Sequence, residues 1–358
     1  MRPYENLPDF ILKRLQTNKM NYVFIDEIQL LENWERVANT LRLRDNVDVY
    51  LTGSNAYMFS SDLANALGGR YVEIKILPYS FAEYYTAHEL VTGFQVPESR
   101  EDFFKRHDPQ TVYAKYVTES GFPQTVNFFF DRRMIGDYLH DTVYLNTLQK
   151  DIVRRFNIVD SNKLDSVVRY LFDNIGNETS LRGIERGLKA AGYSVSAPSI
   201  DGYLKGLLDS YLLYKCERYD IKGKKYLDGN AKYYVVDVGL QTAILGQRDV
   251  DFGHILENVV YLELLRRGYQ VFVGKIYSAG KNPEVDFVAR KAGEQVEYYQ
   301  VALYTLEPET LKRELAPLEA IDDNYPKFIL SLDAGNGETK GIERLNVFDW
   351  LLKSGEKL

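Results

Sequence analysis

The sequence predicts an α/β fold at both ends of the chain, joined by a mostly helical middle that contains a winged helix-turn-helix. Three observations carry this. Short apolar runs alternate with helical periodicity over the first 80 residues, the pattern of a parallel sheet with crossover helices. Three short amphipathic stretches followed by two strand-like segments mark the middle. From about Leu256 to Asp333 the pattern reads helix, three strands, helix, strand. A chain of 358 residues is long enough for two or three domains with sizeable cores.

Each element has a local reason. From Leu7 to Lys19, the residues Phe10, Ile11, Leu12 and Leu15 recur at helical spacing, with Pro8 where a first turn tolerates it. Strand-like runs follow at Tyr22 to Asp26, Val47 to Thr52 and Tyr71 to Ile76, and a helix carrying Trp34, Val37 and Leu41 separates the first two. Pro78 ends the third run, and the text is helical from Phe81 to about Phe156. Val167, Val168 and Leu171 mark the next helix. Ser180 caps another that ends at Gly192. Ser196 and Pro198 start a third, with Ile200, Tyr203, Leu204, Leu207 and Leu208 on its apolar face. Leu213 to Asp220 and Lys232 to Asp237 then read as strands around the polar turn Lys222-Gly223-Lys224-Lys225. The expected domains are 1–80, 81–158, 159–250 and 251–358.

Composition narrows the function classes. Apolar content of 45%, charged content of 27% and 28 tyrosines describe a folded chain, and a net charge of -7 opposes indiscriminate binding to nucleic acid or an anionic membrane. The single Cys216 cannot form an internal disulfide. No stretch reaches the ~18 to 20 apolar residues of a membrane span, and the N-terminal segment lacks a signal-peptide core, so the expectation is a cytoplasmic protein with no membrane partner. His88, His107, His140 and His254 lack the spacing of zinc ligands. The tyrosine pairs Tyr84-Tyr85, Tyr233-Tyr234 and Tyr298-Tyr299 read as half-buried packing, and Arg313 with Glu314 as a solvated helix face.

The chemistry is concentrated in a few places. Tyr22-Val23-Phe24-Ile25-Asp26-Glu27 is a buried-strand pattern ending in two carboxylates. In nucleotide hydrolases the first such carboxylate holds Mg²⁺ and the second orients or deprotonates the attacking water. Val49-Tyr50-Leu51-Thr52-Gly53-Ser54-Asn55 ends a neighbouring run in small polar residues suited to sensing a γ-phosphate. Gly68-Gly69-Arg70 supplies a guanidinium that could neutralise a transferred phosphoryl group.

The segments YVFIDEIQ, LTGSN, GGRYVEIKILPYSFAEYY and LENVVYLELLRRGYQVFVGK followed by EVDFVAR resemble, in that order, a large bacterial and archaeal family of AAA-type ATPases with a C-terminal domain of unknown function. The resemblance covers nearly the whole chain. It implies a partial P-loop AAA-type parallel sheet, a winged helix and a C-terminal restriction-endonuclease-like α/β domain, with ATP and Mg²⁺ as cofactors of the intact protein. Carried over, Asp26 and Glu27 match the Walker B pair, with Asp26 as the metal residue, Asn55 the sensor, and Arg70 the finger or sensor arginine. The family's phosphate-binding loop should precede Asp26 by tens of residues. Only 25 residues stand there, and none is Gly. This chain alone is therefore expected neither to grip ATP tightly nor to hydrolyse it. The resemblance also places the loop's strand between Thr52 and Tyr71 to Ile76, so those two strands are expected to close onto each other or to accept another segment between them.

Two further constellations stand out. Ser199 and Lys205 on the third helix of the middle region, with Lys222, Lys224 and Lys225 on the wing, are the candidate contacts to duplex DNA. The segment from Asp160 to Asn230 holds 11 Lys or Arg against 10 Asp or Glu, a net of +1 that tempers this. In the last block Glu257, Glu284-x-Asp286 and Gln300-Val301-Ala302 follow the layout of PD-(D/E)xK metal nucleases. Gln300 and Ala302 stand where that layout needs an acid and a Lys, so a nuclease fold retired to interaction outranks active cleavage. Three readings remain: an ATPase-family protein, a non-catalytic DNA-associated or protein-interaction regulator, and a weak Mg²⁺ nuclease. A second copy of the chain is a candidate partner.

Overall fold

The computed structural model describes residues 7–54, 67–68, 70–93, 107–128, 131–153, 158, 160–246, 251–277 and 283–353. The chain divides into two compact units, Met1–Ile76 with Leu207–Tyr211, and Leu77–Gly206 with Leu212–Leu358.

In the first unit, α1 (Leu7–Leu12) leads to β1 (Asn21–Ile25), a single 3₁₀ turn (Ile28–Leu30), α2 (Trp34–Arg42) and β2 (Val47–Leu51). Residues Trp34, Val37, Ala38 and Leu41 fall three and four apart, which puts them on one stripe of α2, and all four are buried. Strands β1 and β2 run parallel, in register from Asn21 opposite Val47 to Ile25 opposite Leu51, with α2 as the crossover that a parallel pair requires. Alternation sends Val23, Ile25, Val49 and Leu51 to the more covered face. The opposite face shows Tyr22, Phe24 and Tyr50, and the rings of Phe24 and Tyr50 stack 4.7 Å apart.

Among the described residues neither expected outcome beyond Thr52 is present: the two strands do not close onto each other, and no other segment pairs between them. Residues 71–76 form no ladder, and among the described residues β2 pairs with β1 alone. Val72, Ile74 and Ile76 are 88%, 77% and 91% exposed. Their alternation with Glu73 and Lys75 is a strand pattern, but an extended segment becomes a strand only where a neighbouring backbone receives its N–H and C=O groups.

The second unit begins with α3 (Phe81–Gly93), α4 (Pro109–Glu119), α5 (Pro123–Val126) and α6 (Arg132–Asp137), which winds on through π-helical turns at Tyr138–Leu145. Among the described residues the helical reading of this region holds in type, but it is broken at Ser120, whose φ is 87°. Gly121 there donates its N–H to buried Asp237 at 2.7 Å, and a Cβ on it would meet the Tyr79 carbonyl at 2.8 Å. Next come α7 (Ser161–Asp173), α8 (Leu181–Ala190) and α9 (Ala197–Asp209). Asp160 and Ser180 cap the first two of these by accepting from the backbone of Lys163 and Gly183.

The strands β3 (Leu213–Asp220) and β4 (Lys225–Val235) form an antiparallel hairpin that is also part of a larger sheet. After α10 (Val238–Leu245) and α11 (Phe252–Arg266) come β5 (Gln270–Lys275), β6 (Glu284–Arg290), β7 (Glu297–Val301), α12 (Pro308–Glu319), β8 (Lys327–Ser331), β9 (Gly337–Thr339), β10 (Ile342–Asn346) and α13 (Val347–Leu352). The eight strands order as β4-β3-β5-β6-β7-β8-β10-β9. One face packs Val285, Val288, Tyr298 and Ile329 against Leu315 and Leu318 of α12. On α11, Tyr261 stacks on Tyr234 at 4.4 Å and lies 5.9 Å from Phe287. Residues 255–264 of that helix are all buried, so it is a central element with no free face.

Candidate functional site

Asp26 and Glu27 lie immediately after the C-terminal end of β1, beside the end of β2. In open parallel sheets this carboxyl edge is where ligands bind. The backbone turns sharply there, with Glu27 at φ 50° and ψ 47°. The Thr52 hydroxyl donates to the Asp26 carboxylate and accepts from the Glu27 N–H at 3.1 Å. Ser54 donates to the Glu27 carboxylate at 3.2 Å, and the Gln29 amide donates to the same carboxylate. The Ile28 N–H to Thr52 carbonyl bond, 3.1 Å, ties the two strand ends together. Two carboxylates are thus held by hydroxyl and amide groups at one sheet edge, with Asp26 exposed to solvent.

Of the other residues expected at this edge, Asn55 lies outside the described residues. Arg70 is exposed, and its N–H donates to the Leu67 carbonyl at 3.3 Å. Among the described residues no hydrogen bond or ion pair joins it to Asp26 or Glu27. Mg²⁺ is usually held by one or two carboxylates plus waters and phosphate oxygens, so Asp26 with the Thr52 hydroxyl fits its donor preference. A phosphate cradle does not adjoin them among the described residues.

A second polar centre lies within the large sheet. Glu257 of α11, Glu284 and Asp286 of β6 converge on a residue that sequence reasoning passed over, Lys232 of β4. The Lys232 ammonium is 2.8 Å from Glu257 Oε1, 2.8 Å from Glu284 Oε1 and 4.0 Å from Asp286 Oδ1. Tyr234, two residues along the same face of β4, donates to the same Glu257 oxygen at 2.5 Å. The Asp286 Oδ2 accepts from the Val301 N–H at 2.8 Å. On the outer side Lys275 bridges Glu284 and Glu178, and Glu178 also pairs with Arg218 and accepts from Asn230.

Burial alone would push the Lys232 ammonium down, but Glu257, Asp286 and Glu284 outweigh it and hold the group well above the usual lysine range. Burial, and then Glu257, push the Asp286 carboxyl up. Burial opposes the charge on Glu284 as well, yet Lys232 and Lys275 keep that carboxyl below its usual range.

Gln300 does not join this centre through any hydrogen bond of its side chain. Its amide donates to Glu314 on α12 at 3.0 Å, and Glu314 is only 8% exposed, which corrects the solvated face expected for it, while Arg313 is exposed as expected. The tyrosines expected to be half-buried are mostly enclosed, Tyr84 and Tyr234 completely. Among the described residues no group of three or more acidic, histidine or cysteine side chains is arranged to hold a metal ion.

The candidate DNA contacts lie on one helix and one turn. Lys222, Lys224 and Lys225 are exposed at the β3–β4 turn, Lys205 is exposed on α9, and Ser199 is half-buried with its hydroxyl 2.9 Å from that of Ser196. A more regular feature is the exposed face of α8, where Arg182, Arg186 and Lys189 follow four- and three-residue spacing. That spacing was visible in the sequence.

Residues 2–85 match the AAA domain family, and residues 110–251 match a domain of unknown function (DUF8612). An uncharacterized protein of Haemophilus influenzae is 38% identical over 334 residues, which cover 93% of this chain and 78% of that protein. The uncharacterized protein MJ1544 of Methanocaldococcus jannaschii is 27% identical over 350 residues, 96% of this chain and 75% of its own length.

Proposed function

Because the chain belongs to a family of AAA-domain proteins that it shares with the Haemophilus influenzae relative, we propose that it is the hydrolytic part of an AAA-type ATPase. The observation that carries this is the carboxylate pair at the C-terminal edge of the parallel β1–β2 sheet, tied to Thr52 and Ser54. Asp26, with the Thr52 hydroxyl beside it, is the residue to hold Mg²⁺, which when bound neutralises charge on the transferred phosphoryl group. Glu27 orients the attacking water and takes its proton. Ser54 and Gln29 hold the Glu27 carboxylate in place for that task. Asn55 senses the γ-phosphate, and Arg70 stabilises transferred charge at its own site or a neighbour's.

The 358 residues contain no G-x-x-x-x-G-K-[S/T] segment. About a fifth of the Haemophilus influenzae relative lies outside the match. The reading therefore assigns the phosphate-binding loop to a segment beyond these residues. Without that loop several charge-assisted contacts, each worth roughly 1.5–3 kcal/mol, are missing, so ATP binding weakens by orders of magnitude. The test is ATP turnover by the full-length gene product and by this chain. Turnover by the full-length protein, reduced about 10²- to 10⁴-fold by Glu27→Gln, supports the reading. A full-length protein without turnover sinks it, and turnover by this chain alone refutes the need for an outside loop.

A second reading, a DNA-associated regulator, rests on the α8 stripe of Arg182, Arg186 and Lys189 together with the lysines of the β3–β4 turn. In that case Arg182→Ala with Arg186→Ala should weaken duplex binding equally for all sequences and reduce the salt slope by about 2.

A further inference from the structure

Three carboxylates drawn into one buried volume repel one another, and each loses hydration that water would have supplied. Glu257, Glu284 and Asp286 face this cost directly, with side chains 9%, 28% and 12% exposed. Proteins meet it with a bound cation, a proton or a basic side chain. Lys232 is itself 6% exposed and reaches all three acids.

We infer that Lys232 is a built-in counter-cation, its ammonium standing where a divalent ion would otherwise be needed, so that the large sheet assembles and persists without metal. Three features support this, none of which depends on the ATPase reading. The ammonium bridges Glu257 and Glu284 at equal distances and sits at the middle of the group, not at its rim. The acids that it touches are also engaged by fixed protein donors: the Tyr234 hydroxyl on Glu257, the Val301 N–H on Asp286 and Lys275 on Glu284. These donors offset part of the negative charge that a divalent ion would otherwise neutralise. Finally, the β-strand period places Lys232 and Tyr234 on the same face of β4, so both are delivered to Glu257 by the hairpin's register. Residue 302, where the nuclease layout wants a lysine, is a buried alanine.

The inference makes a directional claim about metals. In the wild-type chain, millimolar Mg²⁺ or Mn²⁺ should leave the melting temperature of the large sheet unmoved, and electron paramagnetic resonance should detect no bound Mn²⁺ beyond any that Asp26→Asn removes. In Lys232→Met, which keeps the length of the side chain and removes its charge, the melting temperature should fall by several degrees at neutral pH and rise again on adding Mn²⁺. The double variant Lys232→Met with Glu257→Gln, which removes one charge of each sign, should recover part of the loss without metal. Mn²⁺ binding by the wild type that disappears in Asp286→Asn would overturn the inference. So would a Lys232→Met protein whose melting temperature ignores added Mn²⁺. Should Lys232→Met fail to fold, the wild-type Mn²⁺ measurements alone decide between the two outcomes.

Discussion

Lowering the pH from 7 to 5 should destabilise the protein through one histidine in the helical region. Helix α3 carries Tyr84, His88 and Thr92 at four-residue spacing, and the ring of His88 is fully buried. The Lys115 ammonium of α4 lies 3.3 Å from its Nε2. Burial, then Lys115 and then His107 disfavour the protonated ring and push its pKa down to about 4, against 6.5 for a free imidazole. The folded-state value lies below the unfolded one, so the unfolded chain takes up the proton first. The stability contributed by the neutral ring is complete above about pH 6.5 and is lost as the pH falls towards 4. Integrating the two titrations from pH 7 to pH 5 gives about 2 kcal/mol, and allowance for solvent screening leaves about 1–2 kcal/mol. For a unit of this size that corresponds to a few degrees, at about 2 °C per kcal/mol. The assay is thermal or urea unfolding of the wild type and His88→Gln at several pH values across this range. The remaining histidines and all carboxylates are common to both proteins, so the difference between the curves isolates His88. The wild type should lose the stated amount relative to the variant. Parallel curves over the whole range would refute the argument.

Three other outcomes are expected. Gly239→Ala should cost about 3 kcal/mol or more, because a Cβ there would lie 2.4 Å from the Ser120 nitrogen and 2.5 Å from its Cα, and backbone cannot rotate away as a side chain can; urea unfolding measures it. Asp237→Ala should cost about 2–5 kcal/mol, since it strands the N–H groups of Gly121 and Leu240, both of which it now accepts at 2.7–2.8 Å, and the urea midpoint should fall with no change in slope. Thr52→Val should change stability by less than about 1 kcal/mol, its hydroxyl being at a solvent edge, yet lower full-length ATP turnover about tenfold or more by releasing Asp26; unaltered turnover would remove Thr52 from the site.

Much of the fold was legible wherever periodicity and punctuation agreed. Helix α8 follows directly from Ser180 as its cap, and α7 from apolar residues three and four apart, its cap Asp160 being seen only in the structure. Strands β1 and β2 were visible as apolar runs, and the position of Asp26 and Glu27 at a strand end followed from the run stopping there. Tyr71–Ile76 misled because alternation reports only that a segment suits a pleated surface, whereas a strand also needs a partner backbone. Strand β4 begins at Lys225, earlier than expected, because its first half, Lys225 to Asn230, carries only Tyr226 and Leu227 as apolar signals and is drawn into the hairpin by pairing with β3. Lys232 escaped notice for a related reason. A single lysine between an alanine and two tyrosines carries no motif, and its meaning comes from Glu257, 25 residues away, and from β6 further on.

The β3–β4 hairpin has a mechanical consequence. Strand β3 follows α9 in the chain and pairs with β5 at Arg218 to Asp220 opposite Val273 to Lys275. A load applied to the hairpin turn at Lys222 to Lys225 would therefore pass into the sheet as shear along a hydrogen-bonded ladder, two strands from β6. Asp220 is the register partner of Lys275, and Lys275 holds Glu284, so tension at the turn arrives first at the charged centre. Proteolysis or gene recombination that parted the hairpin from β5 would also leave a raw strand edge on each fragment. Inheritance of the hairpin and the sheet as one piece is the expected evolutionary result.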